Sequence, residues 1–348
     1  MNHRAAIEKI VSRAVSAPSG DNSQPWEFSV SDDELFIKAL PELDHPILNV
    51  EGRGTYIAIG ALIENVVVAS GEEGLTASVD LFPTSETAAR IRFSARAAEK
   101  SPLSDAIERR HTQRGPYALS VPEDALNAIR DIKEPGVAIE IVTSREGISR
   151  IANAVSVMEE VALRTRKLHR LFFKSILWKR SDNDAGVPGL YIKTTELPPP
   201  VRAAFRVIKH WPVIRLLNKL GFARSAASAN AAVYAQAGAC AALLLTNTEP
   251  SDFIRAGRAM QRIWLTATAS GLAAQPMAGL LYVAEYLSRS RDADFESELH
   301  LRVSDARNTI ATEVRAESAT IAMLLRVGVP IRPATARTAR KKPVIISV

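Results

Sequence analysis

Apolar positions recur at Ala5, Ile7, Ile10, Val11 and Val15, the spacing of a helix with one buried face, and Pro18 closes the pattern. The period then changes from helical to alternating. "WEFSV" and "ELFIKAL" alternate apolar and polar side chains on either side of "SDD", which predicts an antiparallel hairpin. Residues 54–71, "GTYIAIGALIENVVVASG", are apolar almost all round and predict a helix at the centre of the core. "LTASVDLF" and "ARIRFSA" predict two more strands around the turn signal "PTSET".

From residue 101 the pattern restarts. A short helix is expected in "SPLSDAIERRHTQRGPY", ending near the arginines at a Gly-Pro stop. "VPEDALNAIRDI" places Pro122 at a first helical position, "VAIEIVT" reads as a strand, and Thr143 with Glu146 forms a capping-box pattern for the next helix. An apolar helix around Cys240, a strand "ALLLT", a helix "DFIRAGRAMQRIWLTATASGL" and a final helix "ATEVRAESATIAMLLRVG" complete the series. The proline-rich, basic tail "VPIRPATARTARKKPVIISV" is expected to be extended and to wrap onto the fold. Hairpins segregated from long apolar helices, with no short-period repeat, predict the α+β class.

Composition narrows this picture. With 348 residues, 47% hydrophobic and 24% charged, the chain can bury one large core or two medium ones and lacks the marks of disorder. The apolar run 231–246 is too short and alanine-rich to span a bilayer, and "MNHRAAIEKIVSRAV" carries charge where a signal peptide needs its apolar stretch. The expectation is a cytoplasmic protein. The single cysteine, Cys240, excludes an internal disulfide, offers no metal-ligand spacing, and reads as buried filler. The net charge of +6 concentrates in 164–180 and 202–224, where basic residues interleave with Leu, Phe, Ile and Trp. Two amphipathic helices with solvated basic faces are the favoured reading. Contact with a membrane surface, or a cover over an anionic site, is the less favoured alternative.

Two segments carry candidate chemistry. "RRHTQR", Arg109 to Arg114, puts three planar guanidinium groups, an imidazole and a hydroxyl within reach of phosphate oxygens, though arginines also gather at solvated helix ends. "APSGDNSQPWEF" follows a helix with small and amide side chains and then a proline against a tryptophan, more than a simple turn needs.

Together these segments resemble the FMN-dependent nitroreductase superfamily. "RRHTQR" is similar to that family's phosphate grip, and "APSGDNSQPWEF" to its Pro-Ser-x-x-Asn-x-Gln-Pro-Trp segment. "GLAAQPMAGL" is similar to its turn beside the flavin N5, and "ARKKPV" to its C-terminal phosphate contact. The resemblance implies that Pro18, Ser19 and Gly20 lay backbone along the isoalloxazine ring, and that Asn22 bonds the ring's polar edge or holds the loop. It implies that Gln24 ties the turn and that Trp26 packs beneath it. Arg109, Arg110, Thr112 and Arg114, with His111 through its backbone and Arg340 from the tail, would grip the phosphate. Pro276, Met277, Ala278 and Gly279 would present backbone N–H groups near N5; Ala278 stands where the family often has an acid, which bears on the tuning of reduction. No metal and no catalytic side chain is assigned, because the cofactor carries the chemistry.

One departure is informative: in the family the grip precedes the Pro-Ser segment within a subunit, whereas here it follows. The order implies a single-chain pseudo-dimer. Residues 1–100 form a first half carrying the ring loop, and 101–348 a second half carrying the grip and the N5 turn, with a basic, lid-like insertion at 160–224. One flavin site is expected where the halves meet, and a second, degenerate one empty. The implied activity is hydride transfer from NAD(P)H through FMN to a small electron-poor acceptor such as a nitroaromatic, quinone or enone. The alternative is a lid-covered protein that holds FMN without catalysis. A nucleic-acid module leaves "PSGDNSQPW" unexplained, so small molecules are the expected partners of a monomer or homodimer.

Overall fold

The computed structural model describes residues 3–347. Helix α1 (Arg4–Ala14) buries Ile7, Ile10, Val11 and Ala14, as its spacing predicts. The predicted hairpin is β1 (Trp26–Ser31) and β2 (Glu34–Ala39), with Trp26, Phe28 and Val30 turned inward. Helix α2 (Arg53–Ser70) follows, then β3 (Leu75–Leu81) and β4 (Ala89–Ala95). These strands form an antiparallel sheet in the order β1-β2-β4-β3.

The rest of the chain builds a second sheet by the same plan. A single-turn helix α3 (Ala106–Arg109) and α4 (Glu123–Arg130) lead to β5 (Val137–Val142). Helices α5 (Arg145–Val155), α6 (Val157–Arg164) and α7 (Arg166–Ser175) come next, then β6 (Ile176–Leu177), α8 (Arg180–Asp184) and β7 (Leu190–Tyr191). Helices α9 (Pro199–Ile208), α10 (Trp211–Asn218) and α11 (Phe222–Tyr234) lead to β8 (Ala239–Leu245) and the long α12 (Pro250–Ala269). After β9 (Ala273–Pro276), helices α13 (Gly279–Arg289) and α14 (Ser297–Glu313) lead to β10 (Thr320–Gly328), and β11 (Ile345–Ser347) ends the described chain. The second sheet runs β5-β8-β10-β9, all antiparallel, so both sheets share one order and one strand sense. What differs is the connections: the turn between β1 and β2 is replaced between β5 and β8 by helices α5 to α11.

Helices α2 and α12 pack against each other, and two glycines set their approach. A Cβ on Gly60 would lie 2.0 Å from the Ile254 carbonyl oxygen, and one on Gly257 would lie 2.1 Å from that of Ile57. The contact is reciprocal, the signature of a two-fold relation between helices. By length and a mean hydropathy of 1.4, the stretch Val50–Glu73 could cross a bilayer, but 78% of that window is buried inside the protein, so it is a core helix.

Several sequence expectations are corrected. Cys240 is buried as expected, but it is the second residue of β8 and not in a helix. Leu243 and Leu245 face the core beneath α2 and α12, while Cys240, Ala242 and Leu244 face the one beneath α5 and α14. A strand covered on both faces shows no alternation, so its period is hidden. For the same reason "ESATIAMLLRVG" is not a final helix: 297–313 is the helix and 320–328 is strand β10, while α13 went unread. Ser144, not Thr143, caps α5, accepting from the Gly147 N–H at 3.2 Å, and Pro122 sits at the N-cap of α4 with an extended ψ of 134°. The tail is extended as expected. It crosses back to the first sheet, where β11 pairs parallel with β1.

Candidate functional site

A cavity of about 760 Å³ opens between the loop after α1 and α2 on one side and α12, the 109–114 segment and the tail on the other. One wall is the loop after α1. Its turn forces Asp21, Asn22 and Gln24 to positive φ (45°, 59° and 54°), a conformation that Asp and Asn accept more readily than Gln. The tail latches that loop. The Lys341 N–H donates to Gln24 Oε1 at 2.8 Å, Asn22 Nδ2 donates to the Ala339 carbonyl at 3.1 Å, and Arg340 Nε donates to the Ala17 carbonyl at 3.2 Å. The Gln24 N–H bonds Ser19 Oγ at 3.0 Å, so Gln24 ties both the turn and the tail. Asn22 thus holds the loop, and its buried Oδ1 is left without a partner.

The cavity is also lined by cations. Arg110, Arg114, Arg337 and Arg340 line the cavity, and none has a carboxylate within 4 Å among the described residues. Arg110 is buried over the Trp264 ring, its guanidinium carbon 4.4 Å from the centroid. One of its nitrogens, Nη2, donates to the Ser16 carbonyl at 2.7 Å, while Nε and Nη1 are buried without a partner. Burial, helped by Arg340 and Arg337 nearby, pushes this guanidinium down to about 9, and burial alone pushes Arg340 down to about 10. Both remain charged at neutral pH, so the cavity end holds desolvated positive charge with unfilled donors. Burial lowers Arg114 as well, partly opposed by Asp21, and lowers the His111 imidazole.

The grip segment lies beside β9: Thr112 bridges Ala274, and the Gln113 N–H donates to the Ala274 carbonyl. Backbone pairing therefore joins the arginine segment to the turn at 276–279. Arg326, fully buried, fixes the same corner by donating to the Arg114 and Gly115 carbonyls, both at 2.8 Å, and to Gln275 Oε1 at 2.9 Å. The structure thus gathers Pro18, Ser19, Gly20, Asn22, Arg110, His111, Thr112, Arg114, Pro276, Ala278, Gly279 and Arg340 around one cavity.

Two expected residues lie elsewhere. Arg109 is exposed, its Nε donating to the Asp105 carbonyl, because it closes the turn of α3 while Arg110 begins extended chain that turns inward. Met277 extends the β9–β10 ladder through its N–H to the Leu324 carbonyl, which sends its side chain into the second core. Other lining residues carried no sequence signal. Trp264 beneath Arg110 reads as an ordinary buried position of α12, and Arg337 is one of several basic tail residues. Asp21, Asp44 and Tyr282 also line the cavity, and burial raises the pKa of each. Lys174, Ser175 and Gly189 come from the basic insertion and complete the wall.

No family model matches the chain. An uncharacterised protein of Mycobacterium tuberculosis is 24% identical over 318 residues, covering 87% of this chain and 43% of that protein, so the chain spans less than half of that relative's length. A second M. tuberculosis protein, provisionally named an NAD(P)H nitroreductase, is 28% identical over 302 residues, covering 82% of this chain and 79% of its own. Among solved structures, the FMN-dependent nitroreductase NfnB of Mycobacterium smegmatis in complex with NADPH aligns at 19% identity and a TM-score of 0.38, covering 69% of this chain and 93% of its own. A Bacteroides fragilis nitroreductase with bound FMN aligns at 11% identity and a TM-score of 0.37, covering 70% and 98%.

Proposed function

We infer from this chain's kinship with the nitroreductase superfamily, and from its cavity, that it binds FMN and works as an NAD(P)H-dependent oxidoreductase on a small electron-poor acceptor such as a nitroaromatic, quinone or enone. The observation that carries the reading is Arg110. A buried guanidinium with two unpartnered nitrogens, beside three more arginines that lack carboxylate partners, needs an anion to offset its desolvation. A phosphate monoester fits, since its oxygens accept charge-assisted bonds from guanidinium N–H groups such as the unpartnered ones of Arg110. Arg114, Arg340 and the Thr112 hydroxyl would complete the grip. The loop 18–22 would then border the ring, with the unpartnered Asn22 Oδ1 free to accept from a ring N–H.

When bound, FMN supplies the hydride-carrying chemistry. The chain supplies placement. Ile57 and Ala58 of α2 with Met260 and Trp264 of α12 give an apolar wall that excludes water, and the backbone of 276–279 offers fixed dipoles without a titrating side chain. The site draws on both halves, and we read the chain as a pseudo-dimer of 1–100 and 101–348. The repeated strand order and the reciprocal Gly60–Gly257 contact support this division. The segment before β5, residues 131–136, is shorter than the loop before β1, residues 15–25, and leaves little chain for a second ring loop.

One observation favours the alternative, in which FMN is held without turnover. Leu171, Lys174, Ser175, Pro188, Gly189, Leu190 and Thr194 of the insertion all line the cavity, as a cover would. A single pair of measurements tests the proposal. The purified protein should be yellow with stoichiometric FMN, and NAD(P)H added without oxygen should bleach it. A colourless protein that takes up no FMN rejects flavin binding altogether, while a yellow protein that NAD(P)H cannot bleach leaves the holding function.

A further inference from the structure

We propose that helices α9 and α10 dock this protein on an anionic lipid surface. Residues 197–248 contain no Asp or Glu, yet they carry Arg202, Arg206, Lys209, Arg215, Lys219 and Arg224. Of these, only Arg224 has a carboxylate within 4 Å among the described residues, through Glu160 and Glu298. Of the other five, Arg206 and Lys209 lie over the Trp178 ring, and none has a carboxylate partner among the described residues, on a surface that also exposes large aliphatic side chains. Val207 is 55% exposed, Leu216 63% and Leu220 83%.

Their spacing is ordered. Pro212, then Arg215 with Leu216, then Lys219 with Leu220 recur at one helical turn, so cations and leucines share one solvent-facing stripe along α10 and the turn after it. Beneath it, Phe172, Phe173, Phe205, Ile208, Trp211 and Ile214 form a separate small core, so the aliphatic residues outside are surplus to packing. The sequence reading took this basic face as solvated; the exposed leucines change that conclusion. Water satisfies the cations and leaves the leucines without a partner. An anionic bilayer satisfies both, with cations at the headgroups and short apolar side chains in the interface. A nucleic acid would answer the charge alone, and the local rings that could stack on bases are engaged with one another, Phe205 with Phe172 and Phe173, and Trp211 with His169. The surface is separate from the cavity-lining residues, so this proposal does not rest on the flavin reading.

The test is vesicle flotation with the full chain. With vesicles of equal parts phosphatidylcholine and phosphatidylglycerol the protein should rise with the lipid; with phosphatidylcholine alone it should stay behind, and added salt should weaken binding. L216S/L220S and R215E/K219E should each lower the apparent affinity about tenfold or more. Both pairs lie on the surface, and unchanged circular dichroism would show that they fold. Failure of the wild type to rise with phosphatidylglycerol vesicles would overturn the proposal. So would binding that the leucine pair leaves unchanged while polyuridylate competes for the basic residues, which would point to nucleic acid instead.

Discussion

Arg110 sits over the Trp264 ring, its guanidinium carbon 4.4 Å from the ring centroid, with two nitrogens buried and unpartnered. The ring holds the guanidinium plane in place before any ligand arrives, and the Ser16 carbonyl fixes its third nitrogen. Such an arrangement is organised for an anion and costs stability without one.

Two opposite effects should therefore separate in one variant series. Arg110→Ala should weaken FMN binding by about a hundredfold or more, since it removes charge-assisted bonds of about 1.5–3 kcal/mol each. Arg110→Met keeps much of the packing over Trp264, and its apo form should melt no lower than apo wild type, because a buried, uncompensated charge has been removed. Fluorescence titration with FMN and thermal melts of the stripped protein give the two readings.

Glu159 offers a pH test away from the cavity. Its carboxylate accepts from the Tyr234 hydroxyl, and burial pushes its pKa up to about 7 while that hydroxyl pulls it down. A carboxyl whose pKa is raised by folding binds its proton more tightly in the native state. Its contribution to stability is full below the unfolded value of 4.5 and is lost as pH rises toward about 7. Glu159→Gln should abolish that slope, so that the variant gains on wild type by on the order of 3 kcal/mol above the window and shows no gain at its acid end. Chemical denaturation at a series of pH values measures it.

The contact between α2 and α12 should resist any added methyl group. Gly60→Ala places a Cβ 2.0 Å from the Ile254 carbonyl oxygen, and Gly257→Ala one 2.1 Å from that of Ile57. Each should destabilise by about 1–3 kcal/mol or more, and the double variant should cost less than the sum, since the first alanine already forces the helices apart. Urea midpoints of the three variants show whether the effects add.

Gln24→Ala removes the acceptor for the Lys341 N–H. The expected loss is about 1–2 kcal/mol, together with faster proteolytic cleavage in the tail. A tail as resistant as in wild type would show that Asn22 and Arg340 hold it unaided.

What could be read from the residues follows a physical line. Elements with one solvated face declared themselves: α1, the β1–β2 hairpin and β4 keep their period because water marks one side. The strand "ALLLT" was legible as the later part of β8, but the start of β8 around Cys240 and all of β10 hid, because cores on both faces erase the alternation. The loop 18–24 and Arg110 to Arg114 stood out through unusual local chemistry. The cavity's other walls did not, since Trp264, Tyr282 and Lys174 arrive from distant elements and carry no local pattern. Even within "RRHTQR", spacing could not say that Arg110 turns in and Arg109 turns out, a choice made by one backbone ψ of 130°.

The pairing of β11 with β1 also fixes when the protein can be finished. During synthesis the N-terminal sheet emerges early, but its outermost strand and the bonds that fasten Asn22 and Gln24 come from residues more than 300 positions later. The ribosome must deliver 339–347 before Asn22 and Gln24 gain these partners, so a chain stopped short of them leaves the early loop unfastened.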